Sequence, residues 1–214
     1  MLAVTVLAFH RRGSADLVLV AQIACPSSPR GMLSFMTVLF VDGWYGPEPQ
    51  DWQSVWRRRL PDTARVEQDD WEKPLCADWV ARLDETIARC SQPLVLVAHS
   101  LGCPTLAHWV AAGGGRPVRG ALLVAPADVE RNPEPDISGF DPIPRVPLPF
   151  PAILAASSND PWMTPERAAS FARSWGARLV DIGPVGHLSG AHGPWPEGEA
   201  LLAELLAETP ACPA

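Results

Sequence analysis

Apolar positions along this chain fall into short unbroken runs, separated by stretches with helical spacing, and the two patterns alternate. Residues 37–41 (TVLFV), 94–98 (LVLVA), 121–125 (ALLVA) and 152–157 (AILAAS) are the runs expected of strands buried on both faces of a parallel sheet. Residues 64–67 and 178–182 are shorter strand candidates. Between the runs, Leu75, Trp79, Leu83, Ile87 and Ala88 recur on one face and predict a helix over 75–89. A helix over 51–59 starts at Asp51 and is stopped by Pro61, and one over 101–112 ends at the glycines 113–115. Thr164 and Pro165 suit the N-cap and first turn of a helix over 165–175, and a last helix covers 196–207. Strand and helix in alternation predict an α/β fold: a doubly wound, mostly parallel sheet of about six strands with helices on both faces.

Two segments break the rhythm. Residues 126–151 hold many prolines and four acidic residues between 128 and 136, without apolar periodicity, and read as a long excursion at the edge of any site. Residues 1–35 have apolar runs but no helix or strand sequel, with three arginines against one acid, whereas 36–214 carry a net charge of -9. The expectation is a leader upstream of a true start at Met32 or Met36, with a signal peptide as the alternative. Arg11 and Arg12 behind the first apolar run, and no small-residue cleavage site, speak against the latter. Residues 36–214 then form a single domain, within the size that one core supports.

Charge and cysteine content narrow the partners. A formal net charge of -7 argues against nucleic acid and against an anionic membrane surface, and no apolar run is long enough to span a bilayer. The five cysteines are scattered, with neither a CxxC pair nor a zinc-like Cys/His spacing. They read as reduced thiols in a cytoplasm, with no metal and no cofactor implied.

Ligands of doubly wound sheets collect at the carboxyl ends of the strands. Just past the runs stand Asp42, Gly43 and Trp44; His99 and Ser100; Ser158, Asn159 and Asp160; and Gly183, Gly186 and His187. A serine hydroxyl becomes a nucleophile when an imidazole can take its proton, and the imidazole needs a carboxylate to fix its tautomer. Ser100, Asp160 and His187 supply that set in the chain order Ser, Asp, His that α/β hydrolases use. Residues 98–102, Ala-His-Ser-Leu-Gly, match the strained G-x-S-x-G turn except for one methyl at Ala98. Backbone N–H groups of Leu101 and of Gly43 or Trp44 are the expected oxyanion donors. Asp181 and Asp128 are weaker candidates for the acid, and His192 for the base. Trp162, Trp195 and His99 are candidate pocket residues, although His99 should point away from the serine. An N-capping serine, a turn aspartate and core tryptophans are the plainer readings of the same residues.

The stretches "VLVAHSLG", "ASSNDPW" and "GHLSGAHGPWPEG" resemble the retinoblastoma-binding protein 9 family of small serine hydrolases, a branch of the α/β hydrolases without a large cap, over about residues 37–207. The resemblance implies Ser100 as nucleophile, Asp160 as acid and His187 as base. The expected activity is cleavage of a small-molecule ester or amide through an acyl-enzyme. A hydrolase-fold protein acting through a protein partner, and an acyltransferase, are the alternatives.

Overall fold

The computed structural model describes residues 36–115, 118–190 and 193–208. The leader expected over residues 1–35 and the competing histidine His192 lie outside the described residues. Six strands, β1 (Thr37–Val41), β2 (Thr63–Arg65), β3 (Leu94–His99), β4 (Val118–Val124), β5 (Ala152–Ala156) and β6 (Arg178–Asp181), form one all-parallel sheet in the order β2-β1-β3-β4-β5-β6. Five helices connect or follow them: α1 (Trp52–Arg59), α2 (Cys76–Arg89), α3 (Gly102–Ala111), α4 (Pro165–Trp175) and α5 (Pro196–Glu208).

Both sheet faces are covered, and the strands divide their side chains between two apolar layers by their period of two. Leu39, Leu96, Ala98, Leu123 and Leu154 pack with α2, α3 and α4; Val38, Phe40, Val95, Val97, Leu122 and Ile153 pack with α1 and α5. That is why β1, β3 and β5 read as unbroken apolar runs. β6 forms one edge, is largely exposed, and gave a correspondingly weak signal. β4 starts at Val118, three residues before its apolar run, and a Cβ on Gly120 would lie only 3.3 Å from Leu205 of α5.

The Pro-rich segment 126–151 is anchored, in contrast to its polar appearance in the sequence. A 3₁₀ turn at Pro135–Phe140 and the chain after it bury Ile137, Phe140, Ile143, Leu148 and Phe150 in the α2–α4 layer. Their spacing fits neither helix nor strand, so periodicity could not reveal them. Outside this layer Arg167 of α4 forks onto the segment, with Nη2 2.7 Å from Asp128 Oδ1 and a further hydrogen bond to Glu130. Asp128 is thereby committed to an ion pair.

One contact fixes how α3 leaves the sheet. A Cβ added to Gly102 would lie 2.0 Å from the Val41 carbonyl oxygen at the end of β1. Alanine normally favours a helix over glycine by about 1 kcal/mol, but here the overlap with backbone should reverse the sign. Gly102→Ala is expected to destabilise the protein by about 2 kcal/mol and lower its Tm by roughly 4–8 °C. A thermal melt checks this, and an unchanged or raised Tm would contradict it.

Candidate active site

The chain reverses sharply between β3 and α3. Ser100 sits there with φ of +53°, in the left-handed region that costs a non-glycine residue of order 1–3 kcal/mol. Three backbone hydrogen bonds hold it. The Ser100 N–H donates to Val124 O (3.1 Å), and its carbonyl accepts from Cys103 N–H (3.0 Å) and Ala127 N–H (3.2 Å). The methyl of Ala98 is fully buried in the α2–α4 layer, beside Leu101 and Cys103, and the left-handed turn forms with it in place. The turn after β1 passes so close that a Cβ on Gly43 would stand 2.6 Å from Ser100 Cβ and 3.1 Å from its Oγ. Only glycine allows that approach.

Ser100, His187 and Asp160 come together from the ends of three strands. The Ser100 hydroxyl is 2.8 Å from His187 Nε2, and His187 Nδ1 is 2.9 Å from both carboxylate oxygens of Asp160. A carboxylate accepts only, so Nδ1 carries the proton and Nε2 is free to accept from the hydroxyl. The Asp160 side chain is 1% exposed and also accepts the Trp162 N–H at 2.8 Å, which holds it toward the imidazole. Asn159 Oδ1 accepts the Gly186 N–H (2.7 Å) and Ser157 Oγ the Val185 N–H (3.1 Å), joining the turn that carries Asp160 to the loop that carries His187. Asp181 lies outside this cluster, exposed, accepting the Gly183 N–H.

The His187 loop is also clipped from below. His99 Nε2–H donates to the His187 carbonyl (2.9 Å), the Trp52 indole to Leu188 O (3.1 Å) and the Trp56 indole to Pro194 O (2.8 Å). His99 is therefore a buried support under the loop as well as part of the cavity lining. Desolvation, then the neighbouring His187, pushes its pKa down to about 3, so it stays neutral. Trp195 departs from the expectation of a pocket residue. It stacks on Trp56 at 5.7 Å and meets Trp52 edge-on at 5.0 Å in the apolar layer between α1 and α5, away from the cavity.

A cavity of about 350 Å³ opens over Ser100 and His187. Trp44, Tyr45 and Trp162 line it, with Trp44 stacked on Tyr45 at 4.6 Å and edge-on to Trp162 at 6.5 Å. Asp51 and Gln53 also line it, as do Ser189 and Gly190, none of which was singled out from the sequence as chemistry-bearing. The signal for Asp51 and Gln53 was their place just after the turn that follows β1. Ala127 and Ile137 of the Pro-rich segment line a much smaller hollow beside Ser100 and Leu101. Among the described residues, the N–H groups of Leu101, Gly43 and Trp44 find no hydrogen-bond acceptor. No group of ligating side chains suited to a metal ion occurs among those residues.

The serine hydrolase family profile matches residues 38–204. The chain belongs to the serine hydrolase family. A YdeN-like hydrolase from Pectobacterium atrosepticum shares 34% identity, over 80% of this chain and 90% of its own, with a TM-score of 0.72. The ydeN gene product of B. subtilis matches over 81% of this chain and all of its own at 18% identity, TM-score 0.67. The esterase RhEst1 from Rhodococcus sp. matches over 83% and 92% at 12% identity, TM-score 0.62. The last two carry the likeness of fold alone. No curated protein sequence matches the chain. No helix among the described residues of this serine hydrolase is long and apolar enough to cross a membrane.

Two buried groups beside the site give opposite pH responses. Folding depresses the His99 pKa from 6.5 to about 3, so below pH 6.5 the unfolded chain gains a proton that the folded one refuses, and stability falls. Burial, only partly offset by Arg65, raises Asp42 from 3.8 to about 6, so the folded state binds the extra proton and stability rises as pH falls below 6. Between pH 6.5 and 5 the two amount to a loss of roughly 2 kcal/mol and a gain of about 1 kcal/mol. Urea unfolding at both pH values should show a small net loss for the wild type and a steeper one for Asp42→Asn. Equal pH slopes for the two proteins would refute the assignment.

Proposed function

We propose that this protein hydrolyses small esters or amides through an acyl-enzyme on Ser100. The observation that carries the reading is the hydrogen-bonded chain Ser100–His187–Asp160 on a left-handed turn at the edge of an open cavity. His187 Nε2 takes the hydroxyl proton as Ser100 Oγ bonds to the substrate carbonyl carbon. Asp160 keeps the imidazole in the required tautomer and stabilises the imidazolium. The negative charge then on the carbonyl oxygen is met by the unpartnered N–H groups of Leu101 and of Trp44 or Gly43. Collapse expels the alcohol or amine, which takes the proton from His187 and leaves the acyl group on Ser100. Water, deprotonated by the same nitrogen, releases the acid and restores the hydroxyl.

A cavity of this size suits a small substrate. Membership of the serine hydrolase family supports the reaction class. The motifs around Ser100, Asp160 and His187 support a place near the retinoblastoma-binding protein 9 branch of that family. Fold alone would not have fixed the activity.

A fluorophosphonate probe should label the wild-type protein, and Ser100→Ala should abolish the label. Asp160→Asn should retain the fold and lower kcat toward p-nitrophenyl esters by roughly three to four orders of magnitude. A wild type that stays unlabelled, or a Ser100→Ala variant that is labelled equally, sinks the reading.

A further inference from the structure

Ser100 is bordered by two hollows that differ in size and in lining. The large one, about 350 Å³, is lined by His187 and by the exposed ring of Tyr45. The other holds about 10 Å³, the space of roughly one water-sized group. Leu101, Ala127 and Ile137 line it, all buried in the α2–α4 layer, so it ends against the core. Trp44 and Trp162 border both hollows, whereas His187 borders only the large one of the two.

The walls of the small hollow are tied in place. The Ala127 N–H donates to the Ser100 carbonyl at 3.2 Å. The Trp162 carbonyl accepts from the Asp128 N–H and from Asn132 Nδ2, each at 3.0 Å, and the Trp162 N–H donates to Asp160. The Trp44 indole donates to Glu72 O at 2.8 Å. Ile137 belongs to the 3₁₀ turn that also buries Phe140. Widening the hollow would break these hydrogen bonds or open a void in a packed layer, and both are costly. Its size is therefore a property of the fold.

The direction of proton transfer says which part of a substrate lies in which hollow. The leaving oxygen or nitrogen takes its proton from His187 Nε2, so the leaving group lies on the His187 side, in the large cavity. The oxyanion points to the backbone N–H groups. The acyl substituent is left with the side that His187 does not border, where the space fits a methyl group and no longer chain. We infer that the protein is a deacetylase: it is selective for acetyl esters or amides of a larger alcohol or amine, and Ile137 with Ala127 sets the limit on acyl length. Water cleaves the acetyl–oxygen or acetyl–nitrogen bond, giving acetate and the free alcohol or amine. This rests on the Ser100 reading above and adds the substrate class to it.

Hexyl acetate and methyl heptanoate are isomers that differ in which side of the ester is small. With each kcat/KM divided by the ester's own hydroxide-catalysed rate constant, hexyl acetate should be favoured by about tenfold or more, the order by which one methylene discriminates in an apolar pocket. With a common leaving group, p-nitrophenyl acetate should exceed p-nitrophenyl butyrate by a similar factor. Ile137→Ala deepens the hollow and should shrink the acetate-over-butyrate ratio about tenfold. Ile137→Val should move it in the same direction and serves if the alanine variant does not fold. Equal rates for the two isomers, preference for methyl heptanoate, or an unchanged ratio in the folded Ile137 variant would overturn the inference. So would a wild type that a fluorophosphonate labels but that cleaves no acetate ester. Absence of both labelling and ester hydrolysis would instead overturn the Ser100 reading itself.

Discussion

The close approach of the end of β1 to the turn between β3 and α3 is the constraint on which the site depends. Val41 O presses against Gly102, and Gly43 presses against Ser100. Together they leave no room for a side chain at either glycine, and they force the helix to start directly after the serine. The left-handed backbone at Ser100 follows, at a cost of order 1–3 kcal/mol that the three backbone hydrogen bonds and the buried strands around it offset. The same approach sets the turn that carries Gly43 directly against Ser100.

A second layer of order supports the imidazole. His187 stands on a glycine-containing loop that would be mobile by composition, yet its backbone is gripped from both sides. Asn159 and Ser157 hold one side through amides, and His99, Trp52 and Trp56 hold the other through carbonyls. The tryptophan-rich composition has a concrete use here, since an indole packs in an apolar layer and still donates one hydrogen bond to a loop outside it. Trp195 shares that layer and closes it from the α5 side.

The strands, the helices on both faces and the order Ser, Asp, His were legible because each leaves a local trace: an unbroken apolar run, a helical stripe, a polar residue just beyond a run. Ser100, Asp160 and His187 stood out for the same reason, each being a reactive group a few residues past its strand. The Pro-rich segment 126–151 was not legible, because its buried Ile137, Phe140 and Phe150 are irregularly spaced and owe their burial to α2, α3 and α4. Trp195 was misread for a related reason, since nearness in sequence to His187 does not say which side of the sheet a ring faces.

What the sequence determined by itself was the architecture and the chemical types available at the carboxyl edge of the sheet, because periodicity and chain order are local or one-dimensional properties. What only the tertiary structure decided was which groups meet. It joined His187 to Ser100 across 87 positions, committed Asp128 to Arg167, and placed Asp51 and Gln53 in the cavity lining. Those pairings are distances between distant parts of the chain, fixed by the sheet order and by the two glycine contacts, and no single stretch of residues encodes them.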